Sequence, residues 1–175
     1  MSRAATIGLA LRSLLWTFIL PGSVTAWLPL AYFGLRNVTF DTMRPLHWLA
    51  AVTLIVGAAI LGACIIEFAR SGKGTVSPAD PPRHLVVQGL YRFVRNPIYV
   101  GVITILIGET LLMGTSAMAT YTASIFAMFT IWTKIYEEPW LAQTFPDDWP
   151  RYKREVPMWI PRLSPYAASR SHGEV

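Results

Sequence analysis

QGLYRFVRNPIYVG, residues 88–101, lies between two long apolar runs, residues 46–68 before it and 98–113 after it. The segment is basic and aromatic, with Arg92, Arg95, Tyr91 and Tyr99 around an Asn96-Pro97 step. Pro97 sits where a proline is favoured to open a helix. Two further apolar runs lie outward, residues 14–35 and 116–136. A membrane-spanning helix needs about 20 mostly apolar residues, so the first, second and fourth runs qualify by length. The third is short. MGTS at 113–116 leaves room only for a tight turn, which predicts that the third and fourth runs form an antiparallel hairpin. The third run then gains length on the turn side or by local thinning of the bilayer.

Composition points the same way. The chain of 175 residues is 53% hydrophobic and 14% charged, with a mean hydropathy of +0.41. Soluble domains carry about 25% charged residues. The expected class is an all-α polytopic membrane protein with about four transmembrane helices. It forms one domain over residues 1–163, followed by a disordered tail at 164–175. Arg3 and Arg12 precede the first run, and Arg36 and Arg44 lie between the first and second. Arg70, Lys73, Arg83, Arg92 and Arg95 separate the second from the third, and Arg151, Lys153, Arg154, Arg162 and Arg170 follow the fourth, whereas the 113–116 turn has no basic residue. The positive-inside rule then puts both termini and the 88–101 segment in the cytoplasm, with the cell inner membrane as the expected location. Topology and anionic headgroups account for the net charge of +5, so no nucleic-acid partner is expected. A lone Cys64 rules out a disulfide framework and reads as a small buried residue. Ser23–Ala26 imitates a signal-peptidase site, but the apolar run continues through Leu35, so a retained first helix kinked at Pro21 and Pro29 is expected. Gly72-Lys73-Gly74 lies in a Pro- and Ser-rich loop and lacks the other glycines of a phosphate loop.

The second informative stretch is EEPWLAQTFPDDWPRYKREVPMWIP, residues 137–161. Pro139, Pro146 and Pro150 are expected to forbid one continuous helix. Asp147 or Asp148 is expected to cap a short helix over 150–156. Trp140, Phe145, Trp149, Tyr152 and Trp159 suit an interfacial aromatic layer. Glu137 and Glu138 fall at the predicted C-terminal end of helix four, where the helix dipole disfavours them, so they require a compensating cation. Glu109 lies about one turn from the outer loop and is expected to snorkel towards it. Glu67 is expected to pair with Arg70, and Arg92 to act as a membrane-side anchor.

Gly89-Leu-Tyr91 with Arg95-Asn96-Pro97-Ile-Tyr99-Val-Gly101 resembles the G-x-Y…R-H-P-x-Y-x-G signature of the isoprenylcysteine carboxyl methyltransferase and phospholipid methyltransferase superfamily. Glu137-Glu138, Leu141, Phe145, Trp149, Tyr152, Val156-Pro157 and Ile160-Pro161 are similar to its second motif. The resemblance runs from His84 to Pro161. It implies an integral-membrane enzyme that uses S-adenosylmethionine without a Rossmann domain. It further implies a cofactor pocket formed by His84, Leu85, Val86, Gly89, Tyr91, Arg95, Asn96, Tyr99, Glu137 and Glu138. Arg95, Asn96 and Glu138 are the implied catalytic positions, and Tyr152 and Arg154 are assigned to the acceptor. The chain departs from the signature at Asn96, where the superfamily has histidine; asparagine exchanges hydrogen bonds but does not titrate near neutral pH.

If the histidine only holds the cofactor, methyl transfer tolerates that loss; if it moves a proton, this chain must do so otherwise or not need to. Methyl transfer mainly requires alignment and exclusion of water, and a carboxylate acceptor is ionised at pH 7 without help. The expected partners are the bilayer and a lipid or lipophilic small molecule, methylated on a prenylcysteine-like carboxyl or on a headgroup amine. One alternative is a sterol-type, NADPH-dependent membrane reductase, whose C-terminal half looks similar. Glu137 and Glu138 oppose a phosphate-rich dinucleotide. A non-catalytic membrane subunit is the other alternative.

Overall fold

The computed structural model describes residues 21–35, 38–71, 85 and 87–167, and every regular element among them is helical. The first helix enters with a π-turn, Ser23–Trp27, that runs into α1 (Leu28–Tyr32). Next come α2 (Pro45–Ser71), α3 (Pro97–Met113) and α4 (Ser116–Trp132). A second π-turn, Thr133–Glu137, joins α4 to α5 (Glu138–Thr144), and α6 (Trp149–Glu155) follows.

Within α2, Pro45–Glu67 is long and apolar enough to cross a membrane, and only 17% of it is buried in the fold. A helix so apolar and so uncovered is unlike the core helix of a soluble domain; Ile55, for example, is 68% exposed. α3 is apolar but shorter, with 17 residues. It packs along α2 through glycines. A Cβ on Gly57 would lie 2.8 Å from the Ile105 backbone nitrogen, and one on Gly101 would lie 2.9 Å from Leu61 Cδ2. Small residues at such crossings let backbones approach and gain dispersion contacts where no hydrophobic force operates. The α3–α4 hairpin turns at Gly114, whose φ of 64° is left-handed and whose N–H donates to the Thr110 carbonyl at 2.9 Å. Val102, Leu106, Met118 and Ile125 fill the space between the two helices, with Val24 of the first helix against them.

Pro139 does not end the helix as expected. Residues 116–144 form one continuous helical path. A proline ring clashes with the carbonyl four residues back and offers no N–H. The π-turn relieves both faults by closing one residue wider, so that the Glu138 N–H reaches the Thr133 carbonyl. The first helix repeats the device at the same offset, with Ser23–Trp27 ahead of Pro29. Wide turns of this kind recur at functional sites, and here the turn carries Glu137.

The C-terminal aromatics also depart from expectation. Trp149 and Tyr152 do not lie in an interfacial layer; they are buried with Val156 and Tyr166 against Leu85 and Val87. Asp148 precedes α6 but makes no side-chain cap. Tyr166 is only 5% exposed, so packed chain reaches beyond residue 163. Glu109 does not snorkel: it is 4% exposed, and its Oε2 has no hydrogen-bond partner. The reason is that α2, α4 and the first helix cover α3.

Candidate active site

Two backbone features shape the 88–101 segment. Gln88 is extended, and Gly89 adopts a φ of +52°, starting the 3-10 turn Gly89–Arg92. The turn closes through Phe93 and Val94, whose N–H groups both donate to the Leu90 carbonyl. Pro97 then starts α3 without a side-chain cap from Asn96. The C-terminal stretch is tied on by main-chain bonds. The Arg95 N–H donates to the Pro157 carbonyl at 2.9 Å, and the Arg162 N–H to the Phe93 carbonyl at 3.0 Å. Arg92 is no mere membrane anchor: its Nε donates to the Tyr166 carbonyl at 2.9 Å, and the Tyr166 N–H returns to the Arg92 carbonyl at 2.8 Å. Tyr152 Oη donates to the Tyr91 carbonyl at 2.7 Å.

These bonds bring the two motifs together. Arg95 Nη1 lies 2.8 Å from Glu138 Oε1, and Lys153 Nζ lies 2.7 Å from Glu138 Oε2. The Arg95 and Glu138 side chains are only 11% and 9% exposed, whereas Lys153 is 48% exposed. The Arg95 guanidinium also lies 5.7 Å from the centre of the Trp149 ring, within cation–π range. Cations therefore compensate Glu138, but not for the reason of a helix end, since the helix runs on to Thr144. Glu137 gathers neutral donors instead. Tyr99 Oη and Trp132 Nε1 donate to its Oε1, the latter at 3.1 Å, and Thr133 Oγ1 donates to its Oε2 at 3.2 Å. Tyr99 is held by stacking on Phe129, with ring centres 4.3 Å apart.

Of the residues expected at the site, Arg95, Tyr99, Glu137 and Glu138 meet directly. Asn96 is adjacent to them in sequence, and its Nδ2 is buried with no hydrogen-bond partner, as is Arg95 Nε. Two buried donors without partners beside a carboxylate pocket suit an anionic ligand group such as the carboxylate of S-adenosylmethionine, so the residues fit that cofactor. Tyr91 is half-buried in the turn. Burial pushes its hydroxyl pKa well above the ordinary phenol value, and Cys64, Tyr152, Tyr99 and Glu137 around it add to the effect. Leu85 packs on the Trp149 cluster rather than on Glu137 or Glu138. His84 and Val86 lie outside the described residues.

The two residues assigned to the acceptor do not join this group. Tyr152 is buried and holds the Tyr91 carbonyl. Arg154 is exposed on α6. Sequence reasoning passed over three others. Trp149 and Lys153 sit four apart on one face of α6, a spacing that a helix over 149–155 makes legible. Glu67 faces Gly89, where a Cβ would lie 3.0 Å from its Oε2; the side chain of Arg70, its expected partner, lies outside the described residues.

Comparison with known proteins identifies the family. The family model described as phospholipid methyltransferase matches residues 46–148. The protein-S-isoprenylcysteine O-methyltransferase of Rattus norvegicus is 28% identical over 160 residues, covering 87% of this chain and 55% of that protein. Its Homo sapiens counterpart is 27% identical over 146 residues, covering 79% of this chain and 49% of that one. The Schizosaccharomyces pombe protein of the same name is 27% identical over 111 residues, covering 63% and 47% respectively. The chain thus spans about half the length of the curated relatives it matches. No solved structure matches it. With 103 of its 175 residues inside the family match, including α3, α4 and both site glutamates, this chain belongs to the phospholipid methyltransferase family.

Proposed function

We propose that this chain transfers a methyl group from S-adenosylmethionine to the carboxylate of a lipophilic, S-prenylcysteine-like acceptor. It does so from a single membrane domain that crosses the bilayer four times, with both termini and the site on the cytoplasmic side of the inner membrane. The observation that carries this reading is the Arg95–Glu138–Lys153 cluster, which unites two segments separated by a helical hairpin. The choice of a carboxyl acceptor draws on the names of the relatives.

When bound, S-adenosylmethionine supplies a methyl group already activated by its sulfonium. The chain's own residues therefore have to bind, orient and exclude water rather than perform acid–base work. Arg95 Nε and Asn96 Nδ2 offer donors to the cofactor carboxylate. Glu137, its orientation set by three donors, offers acceptor oxygens to the ammonium. The Glu138 carboxylate, itself steadied by Lys153, keeps Arg95 from turning away. A carboxylate acceptor arrives ionised, so no residue need take its proton, and asparagine suffices at position 96. The main-chain ties from residues 157–166 onto residues 92–95 hold the two motifs together. The exposed apolar face of α2 supports lipid contact.

Calorimetric titration of detergent-purified protein with S-adenosylhomocysteine, beside NADPH, is the direct test. Binding of the first alone, followed by transfer of labelled methyl to an S-prenylated cysteine with a free carboxyl, is the expected result. Binding of NADPH alone, or of neither, overturns the proposal.

A further inference from the structure

The α2 end of the fold holds a cavity of about 380 Å³ that borders the site through Gly89 and Tyr91. Ala63, Cys64 and Glu67 of α2 form one wall, and Gly89, Tyr91 and Phe93 stand across from them. Its surface is mostly apolar, with one carboxylate, Glu67, facing the backbone of the turn and one guanidinium, Arg92, whose Nε is engaged by the Tyr166 carbonyl. The left-handed φ of Gly89 serves two purposes here. It starts the turn, and it leaves no side chain between that backbone and Glu67, since a Cβ would come within 3.0 Å of Oε2.

Glu67 contrasts with its two counterparts. Glu138 holds two cations and Glu137 accepts three hydrogen bonds. Glu67 is half-buried, yet no hydrogen bond or ion pair reaches its carboxylate among the described residues. A solvated charge at a helix end needs neither a cavity nor a glycine facing it. The cavity also adjoins the site. Tyr91 lines it, and the Tyr91 hydroxyl lies in the same surroundings as Tyr99 and Glu137.

We infer that Glu67 is a third carboxylate of the site and that it accepts the vicinal hydroxyls of the cofactor's ribose, with the nucleoside seated between α2 and the Gly89–Arg92 turn. The inference rests on the methyl-donor reading above. Three features favour the nucleoside end. The donors that suit an amino-acid carboxylate, Arg95 Nε and Asn96 Nδ2, lie beyond the turn on the α3 side. Aromatic and apolar walls suit a purine. A carboxylate presents two acceptor oxygens with the spacing of a cis-diol, and it can accept from both hydroxyls without leaving a donor unpaired.

Titration with S-adenosylhomocysteine and with 5′-methylthioadenosine, which keeps the nucleoside but lacks the amino-acid end, tests this. Glu67→Ala should weaken both ligands at least tenfold, and Glu67→Gln, which keeps the shape of the side chain, should weaken both to a lesser degree. Arg95→Ala should weaken S-adenosylhomocysteine far more than methylthioadenosine. Full affinity for both ligands in the Glu67 variants overturns the inference while leaving the methyl-donor reading intact. Loss of S-adenosylhomocysteine affinity alone reassigns Glu67 to the amino-acid end and overturns the diol assignment. Wild-type protein that binds neither ligand removes the parent reading itself. Should Glu67→Ala fail to fold, the isosteric Glu67→Gln carries the comparison.

Discussion

At the scale of single residues, the site is a balance of buried charge. Arg95 and Glu138 are about nine-tenths withdrawn from water, where removing one partner of an ion pair costs about 3–5 kcal/mol because the other charge is stranded. Lys153, 2.7 Å from Glu138 Oε2, is expected to soften that loss for Glu138. Arg95→Ala and Glu138→Gln are each expected to reduce S-adenosylhomocysteine affinity at least tenfold by calorimetry. In thermal unfolding in detergent, Arg95→Ala should destabilise near the lower end of that range. Tyr152 makes a different prediction, through pH. Burial raises its pKa above the ordinary value near 10, although Arg95 pulls the other way. Its contribution to stability is therefore complete below pH 10 and declines as pH rises beyond it, because the unfolded phenol ionises first. Unfolding temperatures measured from pH 8 to pH 11 should fall more steeply for wild type than for Tyr152→Phe. The variant gives up about 1 kcal/mol at neutral pH with the bond to the Tyr91 carbonyl. Parallel curves would remove Tyr152 from the account.

At the scale of elements, the telling feature is a proline that widens a helix instead of ending it. The pattern around Glu137 and Glu138 reads naturally as a helix end, because Pro139 removes a donor and collides with the carbonyl four residues back. Whether a chain answers by stopping or by opening a π-turn depends on what lies beyond. Here α5 and α6 lead on to a buried cluster of Trp149, Tyr152 and Tyr166, whose packing rewards continuation. Pro139→Ala allows the turn to tighten to an ordinary α-helix, which rotates Glu137 by about 100° per residue gained and parts it from Tyr99. The expected result is about tenfold weaker S-adenosylhomocysteine binding by calorimetry. The α2–α3 contact gives a paired test. Gly57→Ala forces a Cβ to 2.8 Å from backbone and should cost about 1–3 kcal/mol of stability through overpacking. Gly62→Ala has nothing within 4 Å and should be neutral or slightly stabilising. Equal effects of the two would refute the close crossing.

At the scale of the whole molecule, the proposal demands that one face of the bilayer hold everything. Met43, 84% exposed between α1 and α2, belongs to the outer side in that topology, and the exposed Arg154 to the inner. Placed singly as cysteines in a Cys64→Ala background, Met43→Cys should react with a membrane-impermeant thiol reagent on intact cells and Arg154→Cys only after lysis. Labelling of both from one side would refute the four-pass topology. The helical class, the α3–α4 hairpin and the opening of α3 at Pro97 were all legible in the amino-acid sequence. Apolar run length, proline position and loop length are local properties that neighbouring residues dictate. What only the tertiary structure decided were the partnerships: Lys153 on Glu138, Trp149 under Arg95, Glu67 against Gly89, Glu109 turned inward, and Tyr152 on the Tyr91 carbonyl. Each depends on which distant segment covers which face. That is settled by close packing of whole helices, a sum of contacts spread along the entire chain and absent from any single stretch of it.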